Sequence, residues 1–408
     1  WFSKPVSLPR IPLLKPKEQG MRYALFFFLL LCTPVWAKGD PHSHARPDQV
    51  RVKHLDLDVT VDFEKKSVFG TASWDLHRSP GANTLTLDCR DMEIRAVSAG
   101  RKPLRFTVGP EDKILGSALT IELPKAVRRV TVTYATKPQA AALQWLSPTQ
   151  TAGGKEPFLF TQSQAILART WIPCQDTPGV RFTYDAKVKV PNHLLALMSA
   201  SNPTELSPRG QYRFEMPQPI PSYLMALAVG DLRFQSLGKV TGIYAEPSEL
   251  KAAAYEFAET EQMVQAVEKM FGPYRWGRYD MLLLPPSFPF GGMENPRLTF
   301  LTPTVIAGDR SLTSLIAHEL AHSWSGNLVT NATWDDFWLN EGFTTYIERR
   351  ILEDIYGKER ADMEAVLGYR TLLDELARLP EKDEILYVDL HGRDPDDGFT
   401  EVPYEKGA

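Results

Sequence analysis

Between residues 55 and 63, Leu55, Leu57, Val59, Val61 and Phe63 alternate with Asp56, Asp58, Thr60 and Asp62. A period of two puts successive side chains on opposite faces of a strand, so the stretch predicts a sheet with one buried and one wet face. The alternation returns at Leu119, Ile121 and Leu123, at Val130, Val132 and Tyr134, and at Ala186, Val188 and Val190. Many of the 32 prolines are expected between such runs, Pro217, Pro219 and Pro221 among them, where a missing N–H suits edges and turns. Residues 38–235 therefore read as an antiparallel, β-rich N-terminal domain.

After Tyr244 the period changes. Pro247 and Ser248 can open a helix, Leu250, Phe257, Val264, Val267 and Phe271 give it an apolar stripe, and Gly272-Pro273 closes it. A short buried strand is predicted over 281–284, with helical stretches near 311–324, 335–356 and 361–379. Residues 236–408 thus form a helix-rich second domain with a little sheet, the division falling near 232–246.

At the N-terminal end, Met21 and Arg22 precede the apolar run 23–32, and Val35-Trp36-Ala37 offers a small-residue cleavage site. This is the pattern of a secretory signal peptide over 21–37, because a ten-residue run at about 1.5 Å per residue cannot cross a hydrocarbon core of roughly 30 Å. It predicts an exported, periplasmic or extracellular protein with no stable membrane anchor, and marks 1–20 as upstream sequence foreign to it. Lipidation at Cys32 is disfavoured, since Leu30-Leu31 lack the small residues of such signals. With Cys32 removed, Cys89 and Cys174 remain, and a single disulfide is left open.

Charge narrows the partners. In 408 residues, 46 Lys plus Arg face 50 Asp plus Glu, a net charge of -4, so no global basic field argues for nucleic acid or an anionic membrane. Aromatic residues at 11% argue against a disordered chain, and three cysteines against a disulfide scaffold.

The chemistry lies in the second half. His318-Glu319-Leu320-Ala321-His322 is an H-E-x-x-H motif inside a predicted helix. Histidines four apart share a helix face, so both imidazoles can reach one zinc ion with Glu319 beside its water. Nineteen residues after His322, on the next predicted helix, Glu341 can return a third ligand. Two histidines, a carboxylate and a water make the open site of a hydrolytic zinc enzyme. With only 8 histidines in the chain, two satisfied core histidines are the weaker reading. Glu341 alone could serve a helix dipole, but its spacing from the motif favours the metal. Glu348, two helical turns further on, is a candidate acceptor for a ligand imidazole, although the position also suits a surface ion pair.

These residues resemble the gluzincin aminopeptidases, whose pattern is H-E-x-x-H, eighteen residues, E. Gly291-Gly292-Met293-Glu294-Asn295 looks like their G-x-M-E-N motif, with Asn295 placed 23 residues before His318. Gln162-Ser163-Gln164-Ala165, Pro173-Cys174-Gln175-Asp176, Pro285-Pro286-Ser287-Phe288-Pro289 and Val402-Pro403-Tyr404-Glu405-Lys406-Gly407 look like the leukotriene A4 hydrolase and aminopeptidase B branch.

The resemblance implies a multidomain fold, β then α+β: a saddle-like antiparallel β domain, a thermolysin-like zinc catalytic domain and an all-helical C-terminal domain. The last is absent from these residues, and the catalytic domain reads as truncated. It implies one Zn2+ per chain on His318, His322 and Glu341, with Glu319 as general base and Tyr404 as oxyanion donor. Glu294 would hold the substrate's free amine with Gln164 as a second contact, while Gly291, Gly292 and Met293 lie along the substrate and Asp396 faces basic first residues. The branch has tyrosine where this chain has Phe290 and Phe399.

The expected protein is a monomeric zinc aminopeptidase acting on peptides with a free N-terminus. A lipid epoxide hydrolase of the same fold and an inactive binding module are the alternatives. Tyr404 stands four residues before Ala408, in the first turn of a helix with no continuation, so it is expected to fray and to leave the 408 residues a poor enzyme.

Overall fold

The computed structural model describes residues 39–408. The signal-peptide reading of 21–37, the upstream segment 1–20 and Cys32 lie outside the described residues.

The alternating stretch lies in the strand Val50–Asp62, in which Leu55, Leu57, Val59 and Val61 are buried. It lies inside a seven-stranded sheet, between Ser67–Arg78 on one side and Arg181–Lys189 on the other. The pairing with Arg181–Lys189 is parallel, so the expectation of a purely antiparallel domain is corrected. Parallel neighbours need a long crossover. Here the intervening chain supplies it, completing a three-stranded sheet and contributing two strands of a four-stranded one on the way. Pro217, Pro219 and Pro221 also differ from expectation, since they lie inside the strand Gln211–Pro221 and not between strands. That strand is the edge of the large sheet and pairs on one side only, which is where a strand tolerates missing N–H groups.

The second part is built on a five-stranded mixed sheet in the order Arg233–Ser236, Thr241–Ala245, Tyr279–Leu283, Thr299–Leu301 and Gly292–Met293. Five α-helices follow the chain: α1 (Leu250–Glu256), α2 (Thr260–Phe271), α3 (Ser314–Ala321), α4 (Trp338–Tyr356) and α5 (Lys358–Leu376). Ile243, Met281 and Leu283 on the sheet pack with Val264, Val267, Ala317, Leu320, Ile347 and Ile351 from the helices.

The single helix expected up to Phe271 is two helices. The break falls where Thr260 turns its hydroxyl onto the Phe257 carbonyl at 2.7 Å, and the buried Glu256 carboxylate accepts from the N–H groups of Gly308 and Arg310. Helix α2 then ends at Gly272 with φ 93°, as its sequence predicts. Among the described residues no helix is long and apolar enough to cross a membrane. Cys89 and Cys174 are buried free thiols.

The C-terminal turn Val402–Lys406 packs against both α4 and α5. Glu405 pairs with Arg349, Lys406 donates to the Glu384 carbonyl at 2.6 Å, and Gly407 lies so close to Gly342 that a Cβ there would meet its carbon at 2.6 Å. The frayed end expected around Tyr404 is therefore corrected: the turn is tied by an ion pair, a hydrogen bond and a glycine-to-glycine contact.

Candidate active site

Helix α3 carries His318 and Glu319, and His322 directly follows its last turn. Glu341 lies in the first turn of α4. The two helices pack together and bring three atoms to one point. His318 Nε2 is 3.2 Å from Glu341 Oε2, His322 Nε2 is 3.4 Å from the same oxygen, and the two Nε2 atoms are 3.2 Å apart.

Whether this trio fits a metal can be tested on the other ring nitrogens. His318 Nδ1 is 3.0 Å from Glu348 Oε2, while His322 Nδ1 is 3.1 Å from both the Ser325 carbonyl and the Thr344 hydroxyl. Acceptors at Nδ1 hold the proton there and turn the Nε2 lone pairs inward, toward each other and toward a carboxylate oxygen. Such convergence is repulsive without a cation. The separations also match a tetrahedral centre with ligands at about 2.0–2.2 Å, whose edges would be roughly 3.3 Å. The residues fit a zinc ion.

The electrostatics agree. Glu294, Glu319 and Glu341 are buried together, an excess of carboxylate that charge on the two imidazoles, or a cation held between them, must offset. Burial would raise the Glu341 carboxyl, but His322 and His318 hold it well below the usual range. Burial pushes the Glu319 carboxyl up to about 8 against the opposing pull of His322 and His318. Glu319 Oε2 is buried with no hydrogen-bond partner, and Oε1 lies against Gly292, where a Cβ would be only 2.3 Å away. Glycine at 292 is therefore a steric requirement of the Glu319 position.

The trio forms part of the wall of a cavity of about 540 Å³, lined also by Gln164, Phe290, Gly291, Gly292, Glu294, Glu319, Phe399 and Tyr404. Gly292–Met293 is the edge strand of the five-stranded sheet, and Met293 turns away from the cavity to accept the Gln162 amide at 3.2 Å. Glu294 receives the Gln164 amide at 3.4 Å, and its carboxyl is raised by burial against the pull of His322. Tyr404 stacks on His318 with ring centroids 5.9 Å apart.

Asp396 stands outside this group. It does not line the cavity, and its carboxylate stands near the backbone of Ala165, next to Gln164. Asp396 is exposed, and partial desolvation of its carboxyl by the surrounding loop, with Asp394 beside it, pushes it up to about 6. Thr344 and the Ser325 carbonyl went unnoticed in the sequence. Thr344 had a signal, since Glu341, Thr344 and Glu348 follow one another at helical spacing on one face of α4.

A profile described as "Peptidase family M1 domain" matches residues 255–408, and "Peptidase M1 N-terminal domain" matches residues 51–224. Leukotriene A-4 hydrolase of Xenopus laevis is 46% identical over 90% of this chain and 63% of its own length. Leucine aminopeptidase 2 of Yarrowia lipolytica is 42% identical over 90% of this chain and 59% of its own. Native yeast LTA4 hydrolase superposes with a TM-score of 0.87 at 38% identity, covering 91% of this chain and 60% of that one. The chain thus spans less than two thirds of the length of the curated relatives it matches. The expectation of an exported enzyme is corrected by these relatives, neither of which is described as exported, and the segment that suggested it lies outside the described residues.

Proposed function

The chain belongs to peptidase family M1, and from that premise we propose that it is a zinc aminopeptidase removing the first residue of peptides with a free N-terminus. The observation that carries this reading is the convergence of His318, His322 and Glu341 beside an unpaired Glu319, with a second buried carboxylate, Glu294, within 4.8 Å of Glu319 and His322 on the same cavity. We take 38–235 as the β-rich domain and 236–408 as the catalytic one, acting as a monomer.

In this reading His318, His322 and Glu341 hold one zinc ion, which when bound supplies Lewis acidity toward a carbonyl and its attacking water at neutral pH. Glu319 takes the proton of the attacking water and passes it to the leaving amine. Glu294, with Gln164 beside it, pairs with the substrate α-ammonium, because a buried carboxylate rewards a cation and penalises a mid-chain amide. Gly291 and, on the edge strand, Gly292 have no side chain to keep the substrate main chain away. Tyr404 donates to the oxygen that becomes negative.

The test is Glu294→Ala with a matched pair of substrates. Loss of a charge-assisted hydrogen bond should lower kcat/KM on free-amine substrates by roughly 10- to 100-fold. N-acetylated peptides should be inert to the unaltered protein, and their efficient cleavage would replace the aminopeptidase reading by an endopeptidase. Turnover of a lipid epoxide with no peptide hydrolysis would favour the epoxide hydrolase, and zinc binding with neither activity a silent binding module.

A preference for basic first residues is the finer part of the proposal and depends on a long cationic side chain reaching Asp396 beyond the cavity's lining. A carboxyl raised to about 6 is neutral below that pH and charged above it. The ratio of kcat/KM for an Arg over an Ala substrate should therefore climb as pH rises from about 5 to about 7. A ratio that stays flat over that range removes Asp396 from specificity.

A further inference from the structure

The segment 40–46 is fixed on one side to wholly buried groups of the β-rich part. Ser43 Oγ donates to Asp88 at 2.6 Å, the His44 N–H donates to Asp88 at 2.7 Å, and Arg169 Nη2 donates to the His42 carbonyl at 2.7 Å. Arg169 is itself fully buried and paired with Asp176 at 2.9 Å. His42 is 1% exposed, its ring has Asp40 Oδ1 3.6 Å from Nδ1, and its other nitrogen reaches the second part of the chain. Its Nε2 is 3.1 Å from the Leu390 carbonyl and 3.2 Å from the Arg393 carbonyl. A single ring N–H shared by two carbonyls clamps the start of the loop 389–400 from outside.

That loop has little regular structure to hold it, so its shape depends on such contacts. Asp335 secures its beginning by accepting from the Leu390 N–H at 3.0 Å, and Asp383 grips Arg393 at 2.7 Å. Beyond the clamp come Asp396, then Phe399 stacked on Phe337 at 4.4 Å, and Thr400 and Glu401, which with Phe399 form one wall of the cavity. The catalytic trio and Glu319 belong to α3, its C-terminal cap and α4, so the clamp holds the segment that leads into the cavity wall and does not touch these groups.

We propose that His42 is a positioning residue, its imidazole holding the loop 389–400 in the form that walls the substrate cavity, so that the segment 40–46 of the β-rich part shapes substrate binding in the other part. The kinetic side of this rests on the aminopeptidase reading, whereas the clamp itself does not.

Two variants of the full chain test it, His42→Ala and His42→Gln. Alanine removes the ring but leaves the anchors through Ser43, the His44 N–H and the His42 carbonyl, while glutamine returns an amide donor at similar reach. In His42→Ala, amide hydrogen exchange should accelerate within 389–400 and stay unchanged in α3 and α4, and KM for an aminoacyl substrate should rise roughly five- to tenfold with a much smaller change in kcat, the size of losing one buried donor. His42→Gln should restore both. Unaltered exchange in His42→Ala overturns the clamp, as does acceleration spread evenly over the protein. Local acceleration with an unchanged KM overturns the role in substrate binding. A parent protein that hydrolyses no free-amine substrate sinks the aminopeptidase reading, and the exchange result still decides whether the clamp exists.

Discussion

Glu319→Gln is expected to lower turnover by about 10²- to 10⁴-fold while one zinc per chain stays bound, because the amide keeps the shape of the side chain and cannot take a proton. The separation of the two readouts follows from geometry. Glu319 shares a second group of close donor atoms with Glu294 and His322, but Glu341 is the carboxylate that reaches both imidazoles, and Glu319 keeps Oε2 unpartnered and Oε1 against the bare backbone of Gly292. A ligand would instead be tied into the cluster, as Glu341 is at 3.2 and 3.4 Å from the two imidazoles. Burial sets the carboxyl at about 8, opposed by His322 and His318, and further positive charge in the trio moves it toward the ionised form that a base needs. Stoichiometric zinc measured on the purified variant together with a collapsed kcat is the expected pair of results. Loss of the metal would make Glu319 a ligand, and near-normal turnover would end its role as base.

How far the sequence reaches depends on whether the information is periodic. The alternation from Leu55 to Val61 predicted which side chains are buried, and the spacing of His318, Glu319, His322 and Glu341 predicted a cluster that the fold brings together across two helices. Both signals are local, written at a period of two or within a single helix and its neighbour. What escaped is set by contacts between distant segments. The parallel partner of Val50–Asp62 lies over a hundred residues downstream, and no pattern inside either strand reports which neighbour it takes. The same holds for His42, whose partners Leu390 and Arg393 are 348 and 351 residues away and offer backbone carbonyls that any residue type would carry. Asp396 illustrates the converse. The resemblance placed it at the substrate, but its side chain is exposed and stands outside the residues that line the cavity.

Tyr404→Phe should lower kcat by about 10²- to 10³-fold and leave KM nearly unchanged, which is the signature of a donor engaged only where charge develops in the transition state. The isosteric change is informative because the ring is held independently of its hydroxyl. It stacks on His318 at 28° and 5.9 Å, meets Phe337 edge-on at 6.1 Å, and rides on a turn tied by Glu405, Lys406 and Gly407. Phenylalanine keeps all of these contacts, so a fall in kcat cannot be charged to a loosened chain end. Burial raises the phenol well above its ordinary value, and the carboxylates of Glu341, Glu294 and Glu319 push it the same way. The hydroxyl therefore stays protonated at any working pH, as a donor must. A Tyr404→Phe variant with kcat close to that of the parent would remove the phenol from the reaction and leave the stacked ring as packing for His318.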